Sequence, residues 1–155
     1  MYTKLIRDVK MAHTTEQTNT LETNILETNT IDLTDTQALG KIKQKSAKLA
    51  LEEAQNLKGE NLLLLDVKKL SALSDYVLIV TGNSSTHCRA IAENIRVQAK
   101  KNKLTILGFE SDPQSEWILL DLSDTIVHVM QEEKRQYYAL EKLWQITLEK
   151  ASENR

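Results

Sequence analysis

The sequence predicts an α/β (α+β) domain built on a mixed sheet, and three observations carry that expectation. Helical stripes near residues 42–57, 84–101 and 132–150 enclose five short aliphatic runs, in the order α, β, β, α, β, β, β, α. The runs Leu62–Val67 and Tyr76–Thr81 are apolar on both faces, as strands covered from two sides are. Trp117–Leu122 and Thr125–Met130 are separated only by Ser123 and Asp124, which reads as a hairpin.

The first helix rests on Ile42, Leu49, Ala50, Ala54 and Leu57 and stops at Lys58-Gly59. After the strand at Tyr76–Thr81, Gly82-Asn83-Ser84-Ser85 turns the chain into a second helix, with Ser84 and Ser85 expected as caps and the stripe Cys88, Ile91, Ile95 and Ala99 facing inward. Leu104–Phe109 reads as the third strand, and a loop with the single proline, Pro113, leads into the hairpin. One continuous helix is expected from Glu132 to Lys150, with Tyr137, Leu140, Trp144 and Leu148 facing inward and Tyr138 outward.

Residues 1–40 differ in character. They hold ten threonines, no proline and the near-tandem unit LETNI-LETNT, with aliphatic residues too sparse to offset backbone ordering at about 1–2 kcal/mol per residue. A disordered, dispensable Thr-rich extension is expected there, followed by the folded domain at 41–150. Three basic against six acidic residues disfavour an organelle transit peptide.

The whole chain has 155 residues, with 20 Lys+Arg against 22 Asp+Glu, enough for one domain with a real core. A formal net charge of -2 offers no global field to nucleic-acid phosphates, so any such contact must come from a local patch. A single cysteine, Cys88, excludes an intrachain disulfide and paired-Cys zinc sites and suits a reducing, cytoplasmic setting. Uninterrupted aliphatic runs such as Leu62–Leu65 are far shorter than the roughly 20 residues that span a bilayer, so no membrane role is expected.

A two-residue hairpin loop fixes the register. Leu122 faces Thr125, Leu120 faces Val127 and Ile118 faces Val129 on an aliphatic face; Trp117 faces Met130, Leu119 faces His128 and Asp121 faces Ile126 on the other. The second face mixes Trp and Met with His and Asp, as contact surfaces do, and suggests an apolar interface centre of Trp117, Met130 and Tyr138 beside His128. Glu110, Asp112 and Glu116 would form an acidic rim. The alternative is that a helix covers this face and Trp117 is ordinary core.

Catalytic signals are weak. Gly82–Ser85 lacks the spacing of a dinucleotide or P-loop motif, and no glycine follows Ser84 or Ser85 as a nucleophile elbow requires. His13, His87 and His128 are scattered, and no metal-ligand spacing exists, so catalytic residues, cofactor and metal are all expected to be absent. The rival reading is a nucleotide-binding or nucleotidyltransferase-type enzyme using the Gly82–Ser85 turn with Asp66 or Asp75.

Two stretches, SDYVLIVTGNSSTHCRAIAENI (74–95) and EWILLDLSDTIVHVMQEEKRQYYALEKLW (116–144), resemble the ribosomal silencing factor family, also called RsfS or Iojap. The resemblance covers about residues 41–146. It implies a five-stranded mixed sheet of nucleotidyltransferase-like architecture without that fold's catalytic acids. It also implies a non-enzymatic translational repressor that binds the large ribosomal subunit through ribosomal protein L-fourteen and blocks joining of the small subunit when nutrients are scarce. The matching Trp117 and Met130 would lie on the contact surface; His128 and Tyr138 also match. A homodimer is left open, and no sequence-specific nucleic acid is implied. The family usually has glycine where Ser123 and Ser111 stand.

Overall fold

The computed structural model describes residues 30–144. Its elements are β1 (Thr30–Ile31), α1 (Thr36–Gly40), α2 (Lys45–Asn56), β2 (Glu60–Asp66), β3 (Tyr76–Gly82), α3 (Ser85–Lys101), β4 (Gly108–Ser111), β5 (Trp117–Asp121), β6 (Thr125–Gln131) and α4 (Glu132–Tyr138). The strands form one mixed sheet in the order β1-β2-β3-β6-β5-β4, in which only β3 and β6 pair in parallel.

The hairpin register follows from its two-residue loop. Trp117 pairs with Met130, Ile118 with Val129, Leu119 with His128, Leu120 with Val127 and Asp121 with Ile126, and the Leu122 N–H donates to the Thr125 carbonyl. On the aliphatic face Leu64, Leu78, Val80, Ile118, Leu120, Val127 and Val129 pack against α2 and α3, which contribute Ala47, Ala50, Ala54, Cys88, Ile91 and Ile95. Each fully buried aliphatic side chain contributes about 1.5–3 kcal/mol, so this layer dominates the fold's stability. Alanines on α2, Gly59 beside it and Gly82 beside α3 permit a close approach. A Cβ on Gly59 would sit 2.5 Å from Val80 Cγ1, and one on Gly82 would sit 2.5 Å from Cys88 Sγ.

Four expectations are corrected. The sheet has six strands, because β1 adds to the edge of β2 through Thr30–Leu65 and Ile31–Leu64. Residues 30–40 therefore carry structure: Ile31, Leu33 and Leu39 pack against the first core cluster, and Asp35 caps α1 by accepting from the Gln37 N–H at 2.8 Å. The remaining tail residues, 1–29, lie outside the described residues. The fourth strand occupies Gly108–Ser111 instead of Leu104–Phe109, because residues 102–104 are spent stopping α3. Lys103 turns left-handed (φ 57°) and the Leu104 N–H donates back to the Ala99 carbonyl at 2.9 Å, after which Leu104 and Ile106 pack on the core from an irregular path. Finally, the last helix is broken at Ala139, which is left-handed (φ 45°, ψ 53°), and helix resumes at 140–144. The part expected to continue to Lys150 lies outside the described residues.

Candidate functional site: the aromatic face and its acidic edge

The second face of the sheet is covered by α4 and the 140–144 turn. Leu65, Val67, Val77, Ile79, Trp117, Met130, Leu140 and Trp144 form a second core cluster, with Leu63, Leu70, Tyr138 and Leu143 packed on it. The break at Ala139 makes this possible by resetting the helical phase, so Tyr138 turns in beside Leu140 and Trp144 while Tyr137 turns out.

This placement corrects the expected interface centre. Trp117 is 5% exposed, His128 2% and Met130 0%, so none of the three offers a surface that a partner could touch directly. Trp117 is core, held by three contacts to two neighbours: its Nε1–H donates to His128 Nδ1 at 3.1 Å, its ring lies 5.9 Å from the imidazole, and it lies 4.8 Å from the Tyr138 ring. Accepting at Nδ1 leaves the neutral His128 with its proton on Nε2, and burial pushes its pKa down to about 3. Tyr138 is half-buried, whereas Tyr137, expected inside, is 62% exposed and meets Tyr138 edge-on at 5.0 Å.

The acidic rim is partly committed to internal contacts. Asp112 Oδ1 accepts from the Glu116 and Trp117 N–H groups at 2.7 and 3.0 Å, shaping the β4–β5 turn. Glu116 pairs with Lys134 at 3.2 Å, and that contact raises the lysine pKa. Glu110 is exposed on β4, opposite Leu119 and so at the margin of the aromatic face. Where the parallel strands β3 and β6 end, a cleft of about 420 Å³ is lined by Glu60, Asn61, Thr81, Asn83, Glu132 and Glu133. No sequence signal marks its acids, and the sequence places Tyr137 in the inward stripe.

Arg135 holds this edge together. It is 9% exposed; Nη1 donates to the Asn61 carbonyl at 2.6 Å and to Thr81 Oγ1 at 2.8 Å, and Nε donates to Glu141 at 2.6 Å. A buried guanidinium that donates to three acceptors fixes α4 on the sheet, and removing it would strand buried acceptors. Arg135 falls inside the stretch 116–144 that carries the family resemblance, but its partners on β2 and β3 are set only by the fold.

The residues of the rival enzymatic reading do not converge. Asp66 and Asp75 lie at the Tyr76 end of β3, and Gly82–Ser85 lie at the other end, about 20 Å away along a seven-residue strand. Ser84 is the N-cap of α3, accepting from the His87 N–H at 3.1 Å, as its position predicts. His87 accepts from the Asn83 N–H at Nδ1 and donates from Nε2 to the Leu57 carbonyl at 2.7 Å, clamping α2 to α3. Burial raises the Cys88 thiol to about 11, leaving it protonated and unreactive. Among the described residues no group of three or more His, Cys, Asp or Glu is placed to hold a metal, and no helix is long and apolar enough to cross a membrane.

The described residues thus form a small α+β domain with helices on both faces of the sheet, an aromatic cluster under one of them and an acidic edge. Comparison with known proteins gives the class: residues 41–155 match the family described as ribosomal silencing factor during starvation. The chain is 39% identical over 104 residues to the ribosomal silencing factor RsfS of Bacillus subtilis, covering 66% of this chain and 88% of that one. It is 37% identical over 101 residues to that of Chromobacterium violaceum, covering 65% and 83%. An X-ray structure of a Chromobacterium violaceum protein superposes with a TM-score of 0.63 at 37% identity, covering 65% of this chain and 84% of the other. The chain belongs to the RsfS family of ribosomal silencing factors, which makes it a ribosome-associated regulator of translation.

Proposed function

We propose that this chain is a non-enzymatic translational repressor of the cytoplasm that binds the large ribosomal subunit through ribosomal protein L-fourteen and sterically blocks joining of the small subunit under nutrient limitation. Family membership across residues 41–155 is the observation that carries this reading. The docking face is the edge around Tyr138, with Tyr137 beside it and Glu110 and Glu116 on its rim; Trp117, His128 and Met130 support Tyr138 from beneath. Exposed tyrosine among carboxylates suits a basic ribosomal protein, since aromatic rings hold while charges steer encounter.

Co-sedimentation with separated subunits tests the reading. The chain should pellet with large subunits and stay in solution with small ones. Tyr137→Ala should weaken the association about thirtyfold, the effect of losing a central aromatic worth about 2 kcal/mol, while Glu110→Lys should mainly slow association. Equal pelleting with both subunits would refute it.

A further inference from the structure

The clefts at the two ends of the β3–β6 axis differ in the charge of their linings. One end carries Glu60, Glu132 and Glu133; the other, at the β5–β6 hairpin, carries Lys43 and Lys45 before and at the start of α2 and Lys103 just past α3. There a cleft of about 480 Å³ is lined by Lys43, Lys45, Lys103, Leu104, Leu122 and Asp124, among others. Lys100 and Lys101, in the last turn of α3, add charge to the same end. None of these lysines makes an ion pair among the described residues. Four acids share this end and each is hydrogen-bonded: Asp75 accepts from Gln44 Nε2 at 2.7 Å, Asp124 from Ser46 Oγ, Asp121 from the Ser123 N–H at 2.9 Å and Asp66 from the Lys68 N–H at 3.1 Å; they keep their charge, and the lysines that line the cleft face it beside them. The first turn of α2 has no side-chain cap, so its N–H dipoles point the same way as the lysines.

We infer that this basic cleft binds the phosphodiester backbone of RNA, giving the protein a second anchor at the opposite end from its acidic face. Lysines without an aromatic among the lining residues supply point charges for phosphate and no platform for stacking bases, so the contact is sequence-independent. The local patch explains how a chain of net charge -2 can touch nucleic acid. Choosing RNA over an acidic polypeptide rests on the ribosome-binding reading, because phosphate then lies beside the docked protein.

The test is a fluorescence-anisotropy titration of the full chain against a fluorescein-labelled, mixed-sequence single-stranded RNA of about twelve nucleotides, compared with Lys43→Gln/Lys45→Gln/Lys103→Gln. With three phosphates contacted at a slope of about -0.7 each, raising salt from about 50 to 200 mM should weaken wild-type binding roughly twentyfold. The triple variant, with an unchanged melting temperature, should bind at least tenfold more weakly at the lower salt and lose most of that salt dependence. Equal RNA binding by the two proteins overturns the inference, and so does displacement of the RNA by an equal length of polyglutamate at the same concentration. Wild-type chain that binds RNA through these lysines but fails to pellet with large subunits refutes the proposed function and leaves the RNA site standing. Pelleting without lysine-dependent RNA binding does the reverse.

Discussion

Replacing Trp117 by alanine separates the two roles its sequence position allows. Its indole is 5% exposed in a cluster with Met130, Leu140 and Trp144, so truncation removes a large buried ring and opens a cavity, at about 3–5 kcal/mol. The same change strips His128 Nδ1 of its donor in a site closed to water, a loss of about 1–3 kcal/mol when it stands alone and overlapping the first here. At roughly 3–5 °C per kcal/mol for a chain of this size, the melting temperature should fall by about 10–25 °C. Trp117→Phe keeps most of the ring but not the N–H and should lose about 1–3 kcal/mol. Urea and thermal unfolding followed by far-ultraviolet circular dichroism read both values. A Trp117→Ala protein as stable as wild type but unable to bind large subunits would show that the indole is a contact residue and that the covered face is wrongly assigned.

Three further outcomes are expected. His128 is held neutral when folded, with its pKa near 3, but titrates near 6.5 when unfolded; the unfolded state therefore takes up the extra proton between those values, and stability falls with pH below 6.5. The loss attributable to it is about 2 kcal/mol between pH 7.5 and 5, and urea midpoints of His128→Gln should lack that part of the slope. Ser123→Gly should stabilise the protein by about 0.5–1 kcal/mol in thermal melts, because Ser123 holds φ at 75° in the hairpin loop, where glycine carries no Cβ penalty. Ser84→Ala should cost about 0.5–2 kcal/mol by freeing the His87 N–H, read by the same melts.

Local chemistry was legible. The hairpin register, the Ser84 cap and the stripe Cys88, Ile91, Ile95, Ala99 each depend on residues adjacent in sequence or on one fixed loop length, and each stands as read. What the sequence hid depends on distant partners. Ala139 is a strong helix former, so nothing local announces a left-handed break; it is set by the packing of Leu140 and Trp144 on the sheet, and it exchanged the roles of Tyr137 and Tyr138. Thr30–Ile31 had no strand signal of its own and gained one from the open edge of β2. Mixed polarity on the hairpin's second face looks like a contact surface, but the Trp117 indole N–H donates to His128 Nδ1 inside the cluster, which lets the two rings be buried together. The acidic cleft joins the ends of four segments, which no single window of sequence displays.

Light scattering of separated ribosomal subunits on mixing tests the central claim most directly. Large subunits preincubated with the full chain should show a joining amplitude that falls in proportion to bound chain and recovers when the chain is competed away by free ribosomal protein L-fourteen. Undiminished joining by large subunits that carry the chain at full occupancy would contradict it.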